Sequence, residues 1–218
     1  MTGDALAPGV TCRLVLVRHG EPAVSASGRC YGKLDVSLTE RGREQIQRAA
    51  RWLESMPLHA IYASPRQRAY ESAGILAAGR GLDICVEDHL CEIDFGEFEG
   101  LTYEEVEQRY PSQYRLWMER PTEVTFPGGE SFNMMEERVM RVTTIIRLAH
   151  AGHIVVLVTH GGVNRIILAD ALGMAPKDIF RLDQSYAAVS VIDYYGQTPI
   201  VRLVNYSGYS ERFEENAR

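Results

Sequence analysis

The chain has 218 residues, 45% of them hydrophobic and 24% charged, and it carries a formal net charge of -6. Such a length and apolar content support a sizeable core and exclude a disordered or fibrous chain. The acidic balance argues against nucleic acid as a partner, since a phosphate backbone selects a basic surface, but a local cluster of cations is enough to take a small anion.

The first predicted element is a strand over residues 12–17, a short β-branched-rich apolar run that stops at Arg18-His19-Gly20; such a run reads as a strand buried on both faces. From Thr39 the pattern turns helical, with Thr39 as a cap and Ile46, Ala49, Ala50 and Leu53 at helical spacing. A second strand is expected over Leu58–Ala63. Ser64-Pro65 then starts a helix, with serine as cap and proline in the first turn, running to about Ala78 before Gly79 and Gly81. Leu82–Val86 reads as a third, short strand. Residues 94–129 hold Gly96, Gly100, Pro111, Pro121, Pro127, Gly128 and Gly129 among aromatics, a helical and loop insertion with room for two short helices; such an insertion commonly forms a lid or wall over an active site. A long amphipathic helix follows over 130–151. Residues 154–158 form the most apolar strand and end at Thr159-His160-Gly161-Gly162, and a helix over Val163–Leu172 stops at Gly173 and Pro176. Two more strands are expected at 187–193 and 199–204, with a frayed polar tail after Gly208.

This alternation of strands and helices predicts one doubly wound α/β domain, spanning residues 1–218 with its core at about 12–204, and with a mostly parallel central sheet flanked by helices. Cys12, Cys30, Cys85 and Cys91 form no C-x-x-C pair. A core of this size needs no disulfide, so they are read as reduced and mostly buried, in a cytoplasmic protein. Residues 1–10 read as no signal peptide, and no run approaches the roughly 20 apolar residues of a membrane span, so no membrane partner is expected. A homodimer remains open.

In doubly wound sheets ligands bind beyond the carboxyl ends of the strands. There the sequence places Arg18 and His19 after the first strand, Arg66 and Arg68 after the second, Glu92 after the third, and His160 with Gly161 after the fourth. Arginine binds phosphate through a planar, permanently charged fork. A neutral histidine is a competent nucleophile toward phosphorus, a second one a hydrogen-bond donor, and a protonated carboxyl a donor to a leaving alkoxide. Together they are the parts needed to stabilise a phosphoryl group in transit without a metal ion or other cofactor.

Leu-Val-Arg-His-Gly-Glu (16–21), Ser-Pro-Arg-Gln-Arg-Ala (64–69), Leu-Cys-Glu-Ile-Asp-Phe-Gly-Glu-Phe-Glu-Gly (90–100) and Val-Thr-His-Gly-Gly (158–162) resemble, in order, the motifs of the histidine phosphatase superfamily, the phosphoglycerate-mutase-like group. The resemblance implies His19 as the nucleophile that becomes phosphohistidine, Arg18 and Arg68 as phosphate clamps, His160 as the second pocket histidine and Glu92 as proton donor. Gly161 would add an N–H, and Tyr31 and Asn164 are candidate substrate contacts. Arg66 reads as surface or periphery, and Asp94 as a weaker alternative acid. The signature around Glu92 and Phe126-Pro-Gly-Gly-Glu-Ser131 are closest to the small bacterial phosphatases of alpha-ribazole phosphatase type. The implied activity is phosphomonoester hydrolysis of a small phosphorylated metabolite, with alpha-ribazole 5′-phosphate the named candidate. Phosphoglycerate mutase and a non-catalytic phospho-ligand binder are the alternatives, together with a metallohydrolase using His19, His160, Glu92 and Asp94. His59, His89, His150 and His153 are read as structural. Glu104, Glu105 and Glu107 are read as a solvated helix face, and Tyr103, Tyr110, Tyr114 and Trp117 as packing or substrate wall.

Overall fold

A computed structural model describes residues 6–26 and 28–208. The frayed tail expected after Gly208 lies outside the described residues, as do residues 1–5. Six strands form one mixed sheet: β1 (Cys12–Arg18), β2 (Ala60–Ala63), β3 (Ile84–Val86), β4 (Ile154–Thr159), β5 (Val189–Tyr195) and β6 (Thr198–Tyr206), in spatial order β3-β2-β4-β1-β5-β6. The first four run parallel, and β5 and β6 are antiparallel. The mostly parallel sheet is therefore as expected, with an antiparallel hairpin added at one edge.

Helices cover both faces, and strand alternation divides the core accordingly. Val15, Val17, Ile61, Val156 and Val158 point to one face, where they pack with Ile46 and Ala49 of α1 (Glu40–Trp52), with its C-cap Leu53 and with Ala73 and Leu76 of α2 (Gln67–Ala77). Leu14, Leu16, Val155 and Leu157 point to the other, against Val139, Val142 and Ile146 of α5 (Phe132–Ala149) and Val163, Ile166 and Ile167 of α6 (Gly161–Leu172). β4 is buried at every position, which explains its unbroken apolar run. The insertion builds its own small core: Phe98, Val106, Val124 and Phe126 pack with Tyr110, Tyr114 and Trp117 around α3 (Tyr103–Arg109) and α4 (Pro111–Glu119). Its aromatics are thus chiefly packing; Tyr103 stacks on Trp117 with centroids 5.2 Å apart but keeps an exposed edge.

Two local expectations change. Helix α2 starts at Gln67 with Arg66 at its N-cap, not at Ser64-Pro65, because the Ser64 hydroxyl is turned inward to His160. Only Cys12 and Cys30 of the four free cysteines are buried; Cys85 is exposed on the edge strand β3, beyond which no further strand pairs among the described residues. Thr39 caps α1 as expected, its side chain accepting from Gly42 N at 2.9 Å. In α3, Glu105 closes a capping box with Thr102 while Glu104 and Glu107 face solvent. Among the described residues no helix is long and apolar enough to cross a membrane.

Candidate active site

The sheet order creates the site. β1 and β4 are adjacent and parallel, with Arg18 in register with Thr159, and His19 N–H continues the ladder to Thr159 O at 3.0 Å. The residues that follow each strand, His19 and His160, therefore stand side by side with ring centroids 5.2 Å apart. From β1 the chain crosses to one side of the sheet and from β4 to the other, so this pair sits at the topological switch point. The loop after His19 is held by close backbone packing. A Cβ on Gly20 would stand 2.3 Å from Gly42 O at the start of α1, so only glycine permits that approach.

His19 is buried, and its Nδ1 lies 2.7 Å from its neighbour's carbonyl, Gly20 O. A carbonyl only accepts, so Nδ1 carries the proton and Nε2 keeps its lone pair. Burial, followed by the charges of Arg18 and Arg68, holds the imidazole well below its usual pKa, so it is neutral. His160 is likewise neutral, by burial and then by Arg68, His19 and Arg18.

Arg18 is fastened by donating to Gln184 O, by stacking 4.1 Å over the Tyr186 ring and by a long 3.5 Å bond to Tyr31 Oη. Arg68, fully buried on α2, donates to Leu34 O at 2.8 Å, Tyr31 O at 3.1 Å and Gly32 O at 2.9 Å. What the protein leaves unmet is informative. The buried Nε atoms of Arg18, Arg66 and Arg68, His160 Nδ1 and Asn164 Nδ2 have no hydrogen-bond partner among the described residues. Buried donors are nearly always paired, so donors left over at one strand-end cluster mark a place for an anion.

Glu92 arrives from the loop after β3. One carboxylate oxygen accepts from Gly162 N at 3.0 Å, the other from its own following amide, Ile93 N, at 3.0 Å. A Cβ on Gly162 would fall 2.3 Å from Glu92 Oε1, so any larger residue there would push the carboxyl from this seat. The carboxyl is thus seated at the N-terminus of α6, one residue beyond Gly161 and two beyond His160.

The sequence-derived residues therefore converge: Arg18, His19, Arg68, Glu92, His160 and Gly161 share one end of the sheet. Tyr31 is beside them, its ring 5.1 Å from the Arg68 guanidinium carbon. Asn164 is buried in the first turns of α6, its carbonyl accepting from Thr159 Oγ1 at 2.6 Å and its amide left free. Arg66, read as surface or periphery, stands at the edge of the same cluster: its Nη1 donates to Lys33 O at 3.3 Å, but its Nε is buried without a partner and its charge acts on His160. Asp94 is taken up by Lys33 Nζ at 2.6 Å and by Gly96 N, apart from Glu92's bonds. Among the described residues no group of three or more His, Cys, Asp or Glu is arranged to hold a metal ion, so the donor set of the metallohydrolase reading does not assemble.

Sequence reasoning missed four neighbours. Ser64, read as a cap, is bonded to His160 Nε2 at 2.8 Å. Gln184 and Tyr186 hold Arg18, and the Tyr186 hydroxyl lies 3.0 Å from that of Tyr31. Arg165, one turn along α6, reaches back so that its Nη1 would stand 3.1 Å from a Cβ on Gly161, while its Nε donates to Leu182 O. Only Arg165 had a sequence signal: on a helix it falls at i+4 from Gly161.

A doubly wound sheet with a neutral histidine pair at its switch point, ringed by arginines with unmet donors, is the frame of a histidine phosphatase. The chain matches the histidine phosphatase superfamily (branch 1) over residues 14–207 and belongs to it. It is 37% identical over 93% of its length to a bifunctional protein of Mycobacterium tuberculosis, of which it spans 56%; the chain covers about half the length of that relative. It is 34% identical to phosphoserine phosphatase 1 of Hydrogenobacter thermophilus, over 88% of this chain and 92% of that one. Among solved structures, the alpha-ribazole phosphatase from Shigella flexneri superposes with a TM-score of 0.81 at 25% identity, covering 89% of this chain and 96% of the other. The likeness to alpha-ribazole phosphatases expected from the motifs is therefore present, alongside a phosphoserine phosphatase relative.

Proposed function

We propose that this chain is a phosphomonoesterase that hydrolyses a small phosphorylated metabolite through a phosphohistidine at His19, with no metal or cofactor in the step. The carrying observation is the 2.7 Å link from His19 Nδ1 to Gly20 O, which frees Nε2 as a nucleophile inside a cluster of unmet guanidinium and imidazole donors. Nε2 attacks phosphorus, the P–O ester bond breaks, and the Glu92 carboxyl gives its proton to the leaving alcohol oxygen. Water then attacks the phosphohistidine and gives a proton to Glu92, the P–N bond breaks, and inorganic phosphate leaves. Arg18, Arg68 and His160 stabilise the charge on the nonbridging oxygens throughout.

The substrate is the finer question. Names among the relatives favour alpha-ribazole 5′-phosphate and phosphoserine as the first two candidates. The test is rapid-quench trapping with a phosphorus-labelled ester, followed by kcat/KM across a panel of phosphorylated metabolites containing both candidates. An acid-labile, base-stable label on wild type and none on His19→Ala is the expected result. A His19→Ala protein that keeps most of its activity overturns the reading.

A further inference from the structure

The segment that delivers Glu92 is irregular, yet its backbone is pinned from one side by a single pair of residues. Arg138, on α5, donates through Nη1 to His89 O at 2.7 Å and Cys91 O at 2.8 Å, and through Nη2 to Glu92 O at 3.1 Å. Its remaining donors go to Glu130 as a two-pronged pair, Nε to Oε1 at 2.7 Å and Nη2 to Oε2 at 2.8 Å. All five N–H groups of the guanidinium are thereby used. Glu130 extends the hold: Oε2 also accepts from Asp94 N at 3.0 Å, and its own N–H donates to Asp94 O at 2.9 Å. Both side chains are largely buried, 16% and 17% exposed, where a paired and fully bonded charge is strongest and an unpaired one most costly. Burial pushes the Glu130 carboxyl up, but the bonds from Arg138 and Asp94 N outweigh it and leave it below its usual value.

We propose that Arg138 and Glu130 are positioning residues for the Glu92 carboxyl, the reason Glu130 sits in the Phe126–Ser131 motif. This rests on the reading of Glu92 as proton donor. Glu92 is gripped on its main chain at its own carbonyl and within three residues on each side, so the carboxyl has only its side-chain torsions left to set, and Gly162 N takes up those. A carboxyl displaced by as little as an ångström loses proton transfer steeply, whereas attack by His19 on an ester whose leaving group departs unprotonated does not depend on it.

That separation defines the test. Values of kcat/KM, which report phosphorylation of His19, are compared for 4-nitrophenyl phosphate, whose leaving group needs little protonation, and for an alkyl phosphate such as glycerol phosphate, which needs it fully. Glu92→Gln, Arg138→Lys and Glu130→Gln are assayed, with circular dichroism to select folded variants. Glu92→Gln is expected to lose about 10²–10⁴ on the alkyl ester and far less on the aryl ester. Arg138→Lys and Glu130→Gln are expected to lose at least about tenfold on the alkyl ester and under about threefold on the aryl ester, with little further loss when combined with Glu92→Gln. If Glu92→Gln itself shows no leaving-group selectivity, the proton-donor reading fails. If Glu92→Gln is selective but the clamp variants lose both substrates equally or neither, the positioning proposal fails. Should one clamp variant not fold, the other decides.

Discussion

His160 Nε2 lies 2.8 Å from Ser64 Oγ, with both side chains buried. Arg66 N–H donates to the same hydroxyl at 3.3 Å, and the serine proton has two acceptors in reach, Cys91 Sγ at 3.6 Å and the imidazole at 2.8 Å, of which the imidazole is the nearer and stronger. With Nε2 accepting, Nδ1 carries the ring proton, and Nδ1 is the buried atom without a partner. Ser64 thus favours the tautomer that leaves an N–H at Nδ1 without a protein partner, the donor that the proposed mechanism gives to a phosphoryl oxygen. Ser64→Ala is expected to lower kcat/KM by about tenfold with a nearly unchanged Tm, and His160→Ala to cost the roughly 10²–10³ of a lost oxyanion donor. Steady-state kinetics of the two variants checks this; a Ser64→Ala protein as active as wild type rejects the tautomer role.

The same burial makes the site sensitive to acid. His19 and His160 both have pKa values depressed below 6.5 in the fold, so around and below that pH the unfolded chain binds more protons than the native one. Stability from these two groups is therefore complete above about pH 6.5 and is lost as pH falls below it. The Tm is expected to drop between about pH 6.5 and 5, and inorganic phosphate or vanadate to restore part of it by offsetting the arginine charges. Melting curves over that range, with and without the oxyanion, give the answer. Because Arg18 contributes to the depression, Arg18→Met is expected to move the acid limb of kcat/KM to higher pH.

Much of this site was legible because each apolar strand stops abruptly at a charged or polar triplet. Arg18-His19-Gly20 and Thr159-His160-Gly161 announce strand ends wherever the strands lie, and parallel neighbours bring such ends together. The parallel direction of the inner strands followed from their alternation with helices, but the antiparallel course of β5 and β6 was not read, since the apolar pattern within a strand reports burial and not direction. The signal that β5 and β6 form a hairpin was the Gly196-Gln197 pair between them, with Gly196 at φ 64°. Ser64-Pro65 misled for a physical reason: serine before proline is an ordinary helix cap, and nothing local says that a histidine 96 residues away claims the hydroxyl. Arg138 was invisible for the same reason, its partners in the Glu92 segment lying 46 to 49 residues away.

Tyr31 and Tyr186 touch hydroxyl to hydroxyl at 3.0 Å beside His19, whose ring centroid is 6.5 Å from that of Tyr31 and 5.7 Å from that of Tyr186. The Tyr186 ring also supports the Arg18 guanidinium. Ring and hydroxyl should separate on mutation. Tyr186→Phe keeps the cation–π face and is expected to stay within about threefold of wild-type kcat/KM, whereas Tyr186→Ala frees Arg18 and should lose at least about tenfold. Equal losses in the two variants would assign the effect to the hydroxyl link instead.

Away from the site, Asp193 on β5 is a point where strands are tied by side chains. Its buried carboxylate takes Arg13 on β1 through two bonds, 2.6 Å and 2.9 Å, and Arg202 on β6 at 2.9 Å, so one acid ties three strands. Burial raises its pKa, but the hydrogen bonds and charges of the two arginines prevail and hold it below 3.8. A depressed acid contributes stability that is present above its unfolded pKa and lost as pH falls through the folded one, so this tie fails only in strong acid. At neutral pH, Asp193→Ala leaves both arginines partly solvated, which limits the damage; about 2–3 kcal/mol is expected, the scale of lost bonds to a charged group. Urea unfolding at pH 7 measures it. Because the carboxylate lies on the sheet remote from His19's bonding partners, the variant's kcat/KM per folded molecule is expected to equal that of wild type, and a selective loss of activity without loss of stability would contradict this assignment.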